Sequence, residues 1–253
     1  MAIPRRALYI VGIGPGAHAQ ITRAAEAALR SVDCIVGYDG YVDLVRAWYP
    51  EANFIASPIT HEVERAREAV ERALAGERVA LIGSGDAGIY GLAGLALEIV
   101  AELDATELPV DVVPGVTAAT AAAALLGAPL GHDFAVISLS YLLTPWETTV
   151  RRLEAAAAAD FVTVLYNPAS QRRRKQLCDA IEIFRRHRDP DTPVGHVESA
   201  YRAGQRVGVC TLAAFDTASA GMLSTIVIGN STTHSWRGRM ITPRGYRRGQ
   251  SKA

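Results

Sequence analysis

The stretch Ala7-Leu-Tyr-Ile-Val-Gly-Ile-Gly-Pro-Gly16 decides the fold class of this chain. Its first five residues are apolar and rich in β-formers, and a glycine-rich turn follows them directly. A helical pattern near residues 22–30 and a second short apolar run at 32–36 come next. A strand, a loop, a helix and another strand in this order favour an α/β fold with a parallel sheet and crossover helices.

The alternation continues along the chain. In the first half we predict a helix over 60–75, a strand over 79–82, a helix ending at Leu103 and a strand over 110–113. The predicted helix over 60–75 has an apolar face formed by Val63, Ala66, Val70 and Leu74, and ion pairs of Glu64 with Arg67 and of Glu68 with Arg72. The second half carries strand-like runs at 134–139, 161–165, 193–197, 206–210 and 224–228 with more hairpin-like connections, which predicts a mixed sheet.

Length and charge limit the possible functions. A chain of 253 residues forms one large domain or two small ones. Its 26 basic and 26 acidic side chains cancel, so no overall field points to nucleic acid or to an anionic membrane. The charge is uneven, because the last residues hold only basic groups: Arg237, Arg239, Arg244, Arg247, Arg248 and Lys252. We expect the end beyond Arg247 to be mobile.

Three cysteines, Cys34, Cys178 and Cys210, are widely spaced and form no C-x-x-C pair. They therefore suggest inert thiols in a reducing compartment, not a disulfide framework or a thiolate metal site. The start of the chain lacks the features of a secretory signal, and the longest uncharged stretch, 112–131, is interrupted by Pro and Gly. We expect a cytoplasmic protein with no membrane span.

Gly12, Gly14 and Ala17 match the G-x-G-x-x-A fingerprint of dinucleotide-binding loops. The match is imperfect, because Pro15 removes one N–H that an anion would use and because Asp39, in a Gly-Tyr-Asp-Gly turn, is only the nearest candidate for the ribose-binding acid. A glycine turn with no ligand is the alternative explanation.

Two more glycine-bearing turns follow predicted strands. Gly83, Gly85, Gly88 and Gly91 surround Asp86, and the strand over 110–113 ends in Pro114-Gly-Val-Thr-Ala118. Because the carboxyl ends of parallel strands share one edge of a sheet, where open α/β sheets bind ligands, the three turns together predict a site.

These motifs resemble the ordered motif set of the class III tetrapyrrole methyltransferases. The resemblance rests on Val11–Gly16, Gly85–Tyr90, Pro114–Ala118 and Leu165–Asn167. Longer strings are similar to the branch that methylates C17 of precorrin-3B in vitamin B12 synthesis: Gly127–Phe134, Ser138–Ser140, Leu143–Trp146, Tyr166–Ser170, Met222–Asn230 and Ile241–Tyr246.

The resemblance implies two α/β domains, mostly parallel in the first sheet and mixed in the second, with the active site in the cleft between them. We assign residues 1–114 and 115–242 to these domains and 243–253 to a basic tail. It also implies a homodimer, S-adenosylmethionine as methyl donor, and a corrinoid substrate. The cofactor contacts that it implies are Ser84, Gly85, Asp86, Ile89, Thr117, Ala118, Asn167 and Cys210.

The glycine loop at Gly14, Pro15 and Gly16 would then face the tetrapyrrole, so that no pyrophosphate needs the missing N–H of Pro15. Ser138 and Ser140 alternate on one strand face and are candidates for substrate contact. Thr60 and His61 open a predicted helix whose first N–H groups suit a substrate carboxylate, although Thr60 is equally suited to be a plain N-cap.

The implied reaction adds a methyl group at C17 and contracts the macrocycle, which requires a proton donor or acceptor near the ring. The candidates are Asp86, which is also suited to organising the backbone, His132, which is equally suited to a turn, and Tyr141. The resemblance implies Asp where Tyr141 stands, and a phenol with an ordinary pKa near ~10 is a poor proton shuttle at neutral pH. A second departure is Glu198-Ser199, where the resemblance implies a basic residue followed by Asn.

Alternatives remain at this level. Another corrin methyltransferase, including the cobalt-dependent anaerobic counterpart, would carry the same motifs. A nucleotide-binding regulatory module would fit the glycines alone. No metal site or nucleic-acid surface is expected, since the basic run 172–175 lacks interleaved aromatic residues and is better explained as a solvated helix face beginning near Ser170.

Overall fold

The computed structural model describes residues 6–170 and 173–246. The chain divides into two compact units, the first ending at Ala118 and the second beginning at Ala119. Each unit contains its own sheet of five strands.

Unit 1 is built on a sheet whose neighbouring strands are all parallel. The strand order is β3-β2-β4-β1-β5. The chain leaves β1 towards β2 on one side and leaves β4 towards β5 on the other, and such reversals place ligand sites at the carboxyl edge of open sheets. The strands are β1 (Ala7–Gly12), β2 (Cys34–Tyr38), β3 (Phe54–Ser57), β4 (Arg78–Gly83) and β5 (Val110–Val113).

Helices cover both faces of this sheet. Helices α1 (Arg23–Ser31) and α2 (Asp39–Arg46) pack with Val11, Ile35 and Ile82 into one core cluster. Helices α3 (Glu62–Leu74) and α4 (Ala93–Glu102) pack with Leu8 and Leu81 into another. The predicted parallel α/β architecture is therefore confirmed. Helices α1 and α2 lie on one face, and helices α3 and α4 lie on the other.

Helix α3 differs in detail from its sequence prediction. Val63 is 53% exposed, and the buried face consists of Arg65, Ala66, Ala69, Val70 and Ala73. Arg72 does pair with Glu68 at 2.6 Å, but Arg67 reaches Glu102 of α4 at 3.1 Å and not Glu64. The periodicity placed the helix correctly, whereas packing against α4 decided which edge of its apolar stripe is covered.

Short elements were missed. Asp39 was interpreted as part of a turn, but it is the first residue of α2, and β3 follows that helix. Both elements are too brief for a clear periodic signal.

Unit 2 holds a mixed sheet with the order β10-β9-β11-β8-β7, as predicted. Strands β7 and β8 are parallel, and the remaining neighbours are antiparallel. A separate three-stranded sheet, which the sequence did not predict, joins β12, β13 and β6. The strands are β6 (Gly127–Ala128), β7 (Phe134–Ser138), β8 (Val162–Tyr166), β9 (Pro193–Glu198), β10 (Arg206–Thr211), β11 (Ser224–Ile228), β12 (His234–Trp236) and β13 (Arg239–Ile241).

Three helices accompany these strands: α5 (Ala118–Leu126), α6 (Trp146–Ala158) and α7 (Lys175–His187). Leu153 of α6 and Phe184 of α7 are fully buried with Leu165 and Ile226 in one core cluster. Helix α7 begins at Lys175 with Arg174 at its N-cap position, so Ser170 does not cap it as expected. Within the described ranges, none of the helices combines the length and apolarity needed to cross a bilayer. The expected mobile end beyond Arg247 lies outside the described residues.

Candidate functional site

The loops that follow β1 and β4 are joined by backbone hydrogen bonds. The N–H of Gly14 donates to the carbonyl of Gly85 at 3.0 Å, and the N–H of Gly85 donates back to the carbonyl of Gly14 at 2.8 Å. The N–H of Ile13 donates to Gly83 at 2.9 Å. Both glycines at this pairing have positive φ, 75° for Gly14 and 70° for Gly85. The two glycine-rich turns therefore form one structure at the carboxyl edge of the sheet.

A third turn closes on the same point. A Cβ added to Gly115 would lie 2.0 Å from the carbonyl oxygen of Gly85 and 2.6 Å from that of Gly12. A Cβ on Gly12 would lie 2.8 Å from the Gly115 nitrogen. We call Gly12, Gly85 and Gly115 the glycine junction. No larger residue fits at Gly12 or Gly115 without moving backbone, and the positive φ of Gly85 strains any residue that carries a Cβ, which explains why glycine stands at these three positions.

Asp86 fastens this junction. One carboxylate oxygen accepts the N–H of Gly88 at 2.8 Å and the other accepts the N–H of Gly115 at 3.0 Å. Both oxygens thus bind backbone, and the side chain is half-buried. Of the two roles that the sequence suggested for Asp86, this geometry favours organisation of the loop over proton transfer.

The same geometry argues against a dinucleotide loop. The amides of Ile13 and Gly14 are already hydrogen-bonded, and Pro15 has none. Only one 3-10 turn, His18–Gln20, lies between the glycines and the start of helix α1 at Arg23, so no α-helix N-terminus follows the glycines closely enough to bind a pyrophosphate. Asp39, the nearest candidate for a ribose ligand, starts α2.

The remaining predicted cofactor residues of unit 1 lie around the junction. The Ser84 hydroxyl lies 3.5 Å from the carbonyl of Gly14. The Cβ position at Gly85 is 3.7 Å from the Cα of Thr117 and 3.8 Å from the nitrogen of Ala118, where α5 begins. Ile89 is 40% exposed on the loop after β4. The structure thus brings Ser84, Gly85, Asp86, Thr117 and Ala118 together.

Thr60 follows β3, the outermost strand at this edge. It does not cap α3, whose N-cap position is His61 without a side-chain bond, and its own N–H donates to Glu62 at 3.2 Å. Its φ of 76° is unusual for a β-branched residue. Buried Arg65 holds the turn by donating to the Ser57 hydroxyl and the Pro58 carbonyl at 3.2 and 3.1 Å. A strained, exposed Thr60 stays a candidate for substrate contact.

In unit 2, polar side chains gather where β7 and β8 end. Asn167 has a φ of 49°, and its amide donates to the Ser138 hydroxyl at 3.0 Å. The N–H of Ser140 donates to the same hydroxyl at 3.3 Å. Arg173 donates to the carbonyls of Leu139 and Asn167 at 3.0 and 2.7 Å. The predicted contacts Ser138, Ser140 and Asn167 are therefore neighbours, and Arg173 locks the two strand ends together.

Tyr141 lies on the exposed loop after β7. Its side chain is 46% exposed, and Leu142 and Leu143 beyond it are 80% and 98% exposed. Burial lowers the pKa of the Arg173 guanidinium from its ordinary value, while nearby Tyr141 acts in the opposite direction. The phenol thus lies beside a fixed cation.

This chain is similar to one family of known proteins. Residues 7–216 match the family model described as tetrapyrrole (corrin/porphyrin) methylases. The chain belongs to the tetrapyrrole methylase family.

Curated relatives narrow the position of this methylase within the family. It is 47% identical over 95% of its length to the cobalt-factor III methyltransferase of Priestia megaterium, of which it spans 45%. It is 46% identical over 94% of its length to the probable cobalt-factor III C(17)-methyltransferase of Salmonella typhimurium, of which it spans 99%. It is 40% identical to the precorrin-3B C(17)-methyltransferase of a Sinorhizobium species, with 89% of each chain covered.

A solved structure confirms the fold. The crystal structure of the methyltransferase CobJ superposes with a TM-score of 0.87 at 33% identity, covering 94% of this methylase and 100% of that chain. Membership of the family, a two-sheet α/β fold and a methyltransferase activity, all predicted from the motifs, are thereby confirmed.

His132 is not placed with the other predicted site residues of the methylase. It precedes β7, whereas Ser138 ends that strand, and six residues at about 3.3 Å each separate them by roughly 20 Å. Its Nδ1 accepts the N–H of Asp133 at 2.8 Å, which is the turn role considered above. His132 therefore lies towards the opposite edge from Ser138 and Ser140, and its role as a proton donor or acceptor stays a prediction.

Cys210 also lies at the opposite edge of its sheet from Asn167. It pairs with Val194 near the start of β9, while Asn167 follows the end of β8, and β8 and β9 run in the same direction. Cys210 therefore lies at the other edge of the sheet, packed against the core, where burial raises the pKa of its thiol. It does not lie next to Asn167, and its role as a cofactor contact stays a prediction.

His132 instead lines a cavity of about 510 Å³ with Asp133, Phe161, Asn230 and Arg244. All of them except Phe161 come from three of the strings that resemble the C17 branch, at 127–134, 222–230 and 241–246. Those strings therefore build a feature at the edge of the sheet opposite to Ser138 and Asn167.

All three cysteines lie among the described residues. They carry free thiols, and Cys34 is buried. Burial, followed by the adjacent Glu77 carboxylate, raises the pKa of the Cys34 thiol to about 12, so it is unreactive at neutral pH. Among the described residues, no group of three or more His, Cys, Asp or Glu side chains is arranged to hold a metal ion.

Sequence reasoning missed several side chains of unit 2. Tyr166 accepts the N–H of Ala119 at 2.6 Å through its hydroxyl and so caps the first turn of α5. Arg173 was seen only as part of a basic run. Neither role leaves a local signal, because each depends on contacts between residues 34 or more positions apart.

Proposed function

We propose that this methylase transfers a methyl group from S-adenosylmethionine to C17 of a corrin precursor, with contraction of the macrocycle. Precorrin-3B, converted to precorrin-4, is the substrate that the sequence motifs favour. Family membership and the C(17)-methyltransferase names of its relatives support the reaction class.

The observation that carries the proposal is the closed glycine junction. The N–H groups of Gly14 and Gly85 donate to each other's carbonyls and that of Gly115 donates to the Asp86 carboxylate, so these loops offer no cradle for a pyrophosphate. A sulfonium cation carries no phosphate and needs no such cradle. The residues present therefore fit S-adenosylmethionine better than a dinucleotide.

When bound, S-adenosylmethionine supplies an electrophilic methyl group, and the ring carbon supplies the electron pair for the new bond. The chain has to align the two reactants and exclude water. For unit 1 we propose that Ser84, Gly85, Thr117, Ala118 and Ile89 contact the donor while Asp86 fixes their loop. For unit 2 we propose Asn167 as a further contact, held in its left-handed conformation by Arg173.

The substrate contacts are proposed on the same edges. On unit 1, Gly14, Pro15 and Gly16 are buried beside the junction and Thr60 is exposed. On unit 2, Ser138 ends β7 and Ser140 follows it. Tyr141 is proposed to hydrogen-bond the substrate through its hydroxyl and not to carry a proton.

A second substrate is favoured by a specific observation. The relatives at 47% and 46% identity are both named for cobalt-factor III, which supports the cobalt-containing precursor as an alternative to precorrin-3B. Parallel assays with both substrates at equal concentration decide between them, through the ratio of their kcat/KM values.

We further propose a cytoplasmic homodimer that needs no metal ion. Three free cysteines suit a reducing compartment. Sedimentation equilibrium tests the dimer, and activity after treatment with a chelator tests the metal.

Calorimetric titration tests the cofactor proposal. S-adenosylhomocysteine should bind with a stoichiometry of about one per chain, whereas NAD should give no heat of binding. The substitution Ile89→Asp should weaken S-adenosylhomocysteine, and Leu97→Asp, at a residue 45% exposed on α4, serves as its control. If NAD binds and S-adenosylhomocysteine does not, the chain is a nucleotide-binding module and not a methyltransferase.

A further inference from the structure

A polar cluster at the ends of β9 and β11 has no role in the function proposed above. It consists of His196, Glu198, Ser219 and Ser224, which we call the His196 cluster. Glu198 faces Ser224 across the two strands, and His196, two residues before Glu198, presents its side chain on the same face. The His196 Nε2 lies 2.9 Å from the Ser224 hydroxyl and 3.7 Å from Glu198 Oε2.

Counting protons shows how the cluster is arranged. The Ser224 hydroxyl donates its one proton to Glu198 Oε2 and accepts the N–H of Gly221 at 2.9 Å. Its remaining lone pair can only accept, so His196 carries a proton on Nε2. Ser224 is therefore fully bonded and holds Oε2 in place. The other carboxylate oxygen, Oε1, receives no hydrogen bond from this set.

The cluster is shielded but not sealed. The side chains of His196 and Glu198 are 19% and 16% exposed, and Phe215 lies edge-on to the imidazole with ring centroids 6.2 Å apart. Burial lowers the pKa of His196, Glu198 opposes that effect, and Arg206 on β10 adds to it. Ser219, in the loop before β11, lies 3.5 Å from Nδ1 and carries no charge.

The position of the cluster matches the chemistry that is missing from the site. Ile226 pairs with Leu165, so Ser224, two residues before Ile226, lies at the same sheet edge as Asn167, two residues after Leu165. Strands β8, β11 and β9 are neighbours spaced about 4.8 Å apart. A carboxylate thus stands two strands from Asn167, in a chain that carries Tyr141 where a carboxylate was expected.

Charge balance requires a proton acceptor. When the methyl group is transferred, the electron pair of the S–CH3 bond stays on sulfur, so the sulfonium donor loses its positive charge. The ring carbon forms the new bond with its own electron pair, so a neutral product must release one proton. The acceptor of that proton must be a base at the reaction edge.

Resting on the proposed function, we propose that Glu198 Oε1 accepts this proton, with Ser224 and His196 as positioning residues that hold and tune the carboxylate. The proton passes from the substrate to Oε1 and then to solvent, which restores the carboxylate. A neutral His196 leaves Glu198 basic, whereas an imidazolium 3.7 Å away stabilises the carboxylate and makes it a weaker base. The rate should therefore fall as the pH falls through the pKa of His196.

The test measures transfer of label from methyl-labelled S-adenosylmethionine to the corrin precursor between pH 5 and 9. Glu198→Gln preserves shape and can still accept from Ser224, so it should fold, bind S-adenosylhomocysteine within about twofold of wild type, and lose on the order of 100-fold in rate. His196→Gln removes the titrating group, so its rate should no longer show the acidic limb of the profile. Arg206→Gln removes a charge that lowers the pKa of His196, so its limb should move to higher pH.

The outcomes separate this inference from the function on which it rests. A Glu198→Gln variant that transfers label at the wild-type rate, or an Arg206→Gln profile that stays in place or moves to lower pH, overturns the role of Glu198 alone. A wild-type chain that binds S-adenosylhomocysteine but labels neither corrin precursor overturns the proposed function and this inference with it.

Discussion

The edge at which the strands of the first sheet end differs in construction from the edge of the second sheet at which β7, β8 and β9 end. In unit 1 the edge is formed mainly by backbone. Gly14 and Gly85 exchange hydrogen bonds, and the Asp86 carboxylate accepts the N–H groups of Gly88 and Gly115. In unit 2 the edge is made by side chains at strand ends, where Arg173, Asn167 and Ser138 form one set and the His196 cluster forms another. A backbone-built edge tolerates almost no change of residue, whereas a side-chain edge can exchange one polar group for another.

The largest effect should come from filling the glycine junction. Gly115→Ala places a Cβ 2.0 Å from the Gly85 carbonyl oxygen, and neither loop can withdraw without breaking its hydrogen bonds. We expect a loss of more than about 3 kcal/mol in the free energy of unfolding. Gly94→Ala is the control, because its added methyl group meets nothing within 4 Å on helix α4, and it should stabilise by up to about 1 kcal/mol. Urea denaturation compares the two; equal stabilities would refute the junction.

Asp86→Asn should have the next largest effect. An amide nitrogen facing either N–H donor leaves it without an acceptor, which should cost about 2 kcal/mol of stability and weaken S-adenosylhomocysteine binding. Asp111→Asn, on an exposed residue of β5, should change stability by less than about 0.5 kcal/mol. If both variants melt at the wild-type temperature, Asp86 does not organise the loop.

For unit 2, Arg173→Lys tests the side-chain edge. A lysine cannot span the carbonyls of Leu139 and Asn167 in the same way, so we expect a loss of about 1–2 kcal/mol in stability. The affinity for S-adenosylhomocysteine should fall about tenfold if Asn167 contacts the donor. Lys175→Met, at a residue with a 78% exposed side chain, is the matched control. Unchanged affinity alongside lowered stability would remove Asn167 from the cofactor contacts.

Thr60→Gly should have the smallest effect on stability and the opposite sign. Glycine adopts a φ of 76° without strain, so the variant should gain about 0.5–1 kcal/mol. If Thr60 contacts the substrate, its KM for the corrin precursor should rise while the affinity for S-adenosylhomocysteine stays constant. An unchanged KM would assign the strain to the turn alone.

The same contrast explains what the sequence could and could not predict. Gly12, Gly85, Asp86 and Gly115 leave a local signal, because each turn needs glycine wherever backbone approaches backbone. The edge to which a side chain belongs depends on strand direction and register, which no local pattern shows. That is why the sequence could not show that His132 and Cys210 lie at the edge opposite to Ser138 and Asn167, and why Arg173 was interpreted only as a surface charge.

Departures from the family pattern were visible in the sequence, but their meaning was not. Tyr141 and Glu198 were both recognised as unexpected residues. Only the pairing of β9 with β11 shows that Glu198 is held by Ser224 and His196 at the edge where Asn167 lies.

One assay tests the central claim most directly. The chain is incubated with methyl-labelled S-adenosylmethionine and either precorrin-3B or cobalt-factor III, and the tetrapyrrole is followed by mass and absorbance. We expect one labelled methyl group per macrocycle, at C17, in a ring-contracted product. Unlabelled tetrapyrrole from both substrates, under conditions where S-adenosylhomocysteine binds, would contradict the account.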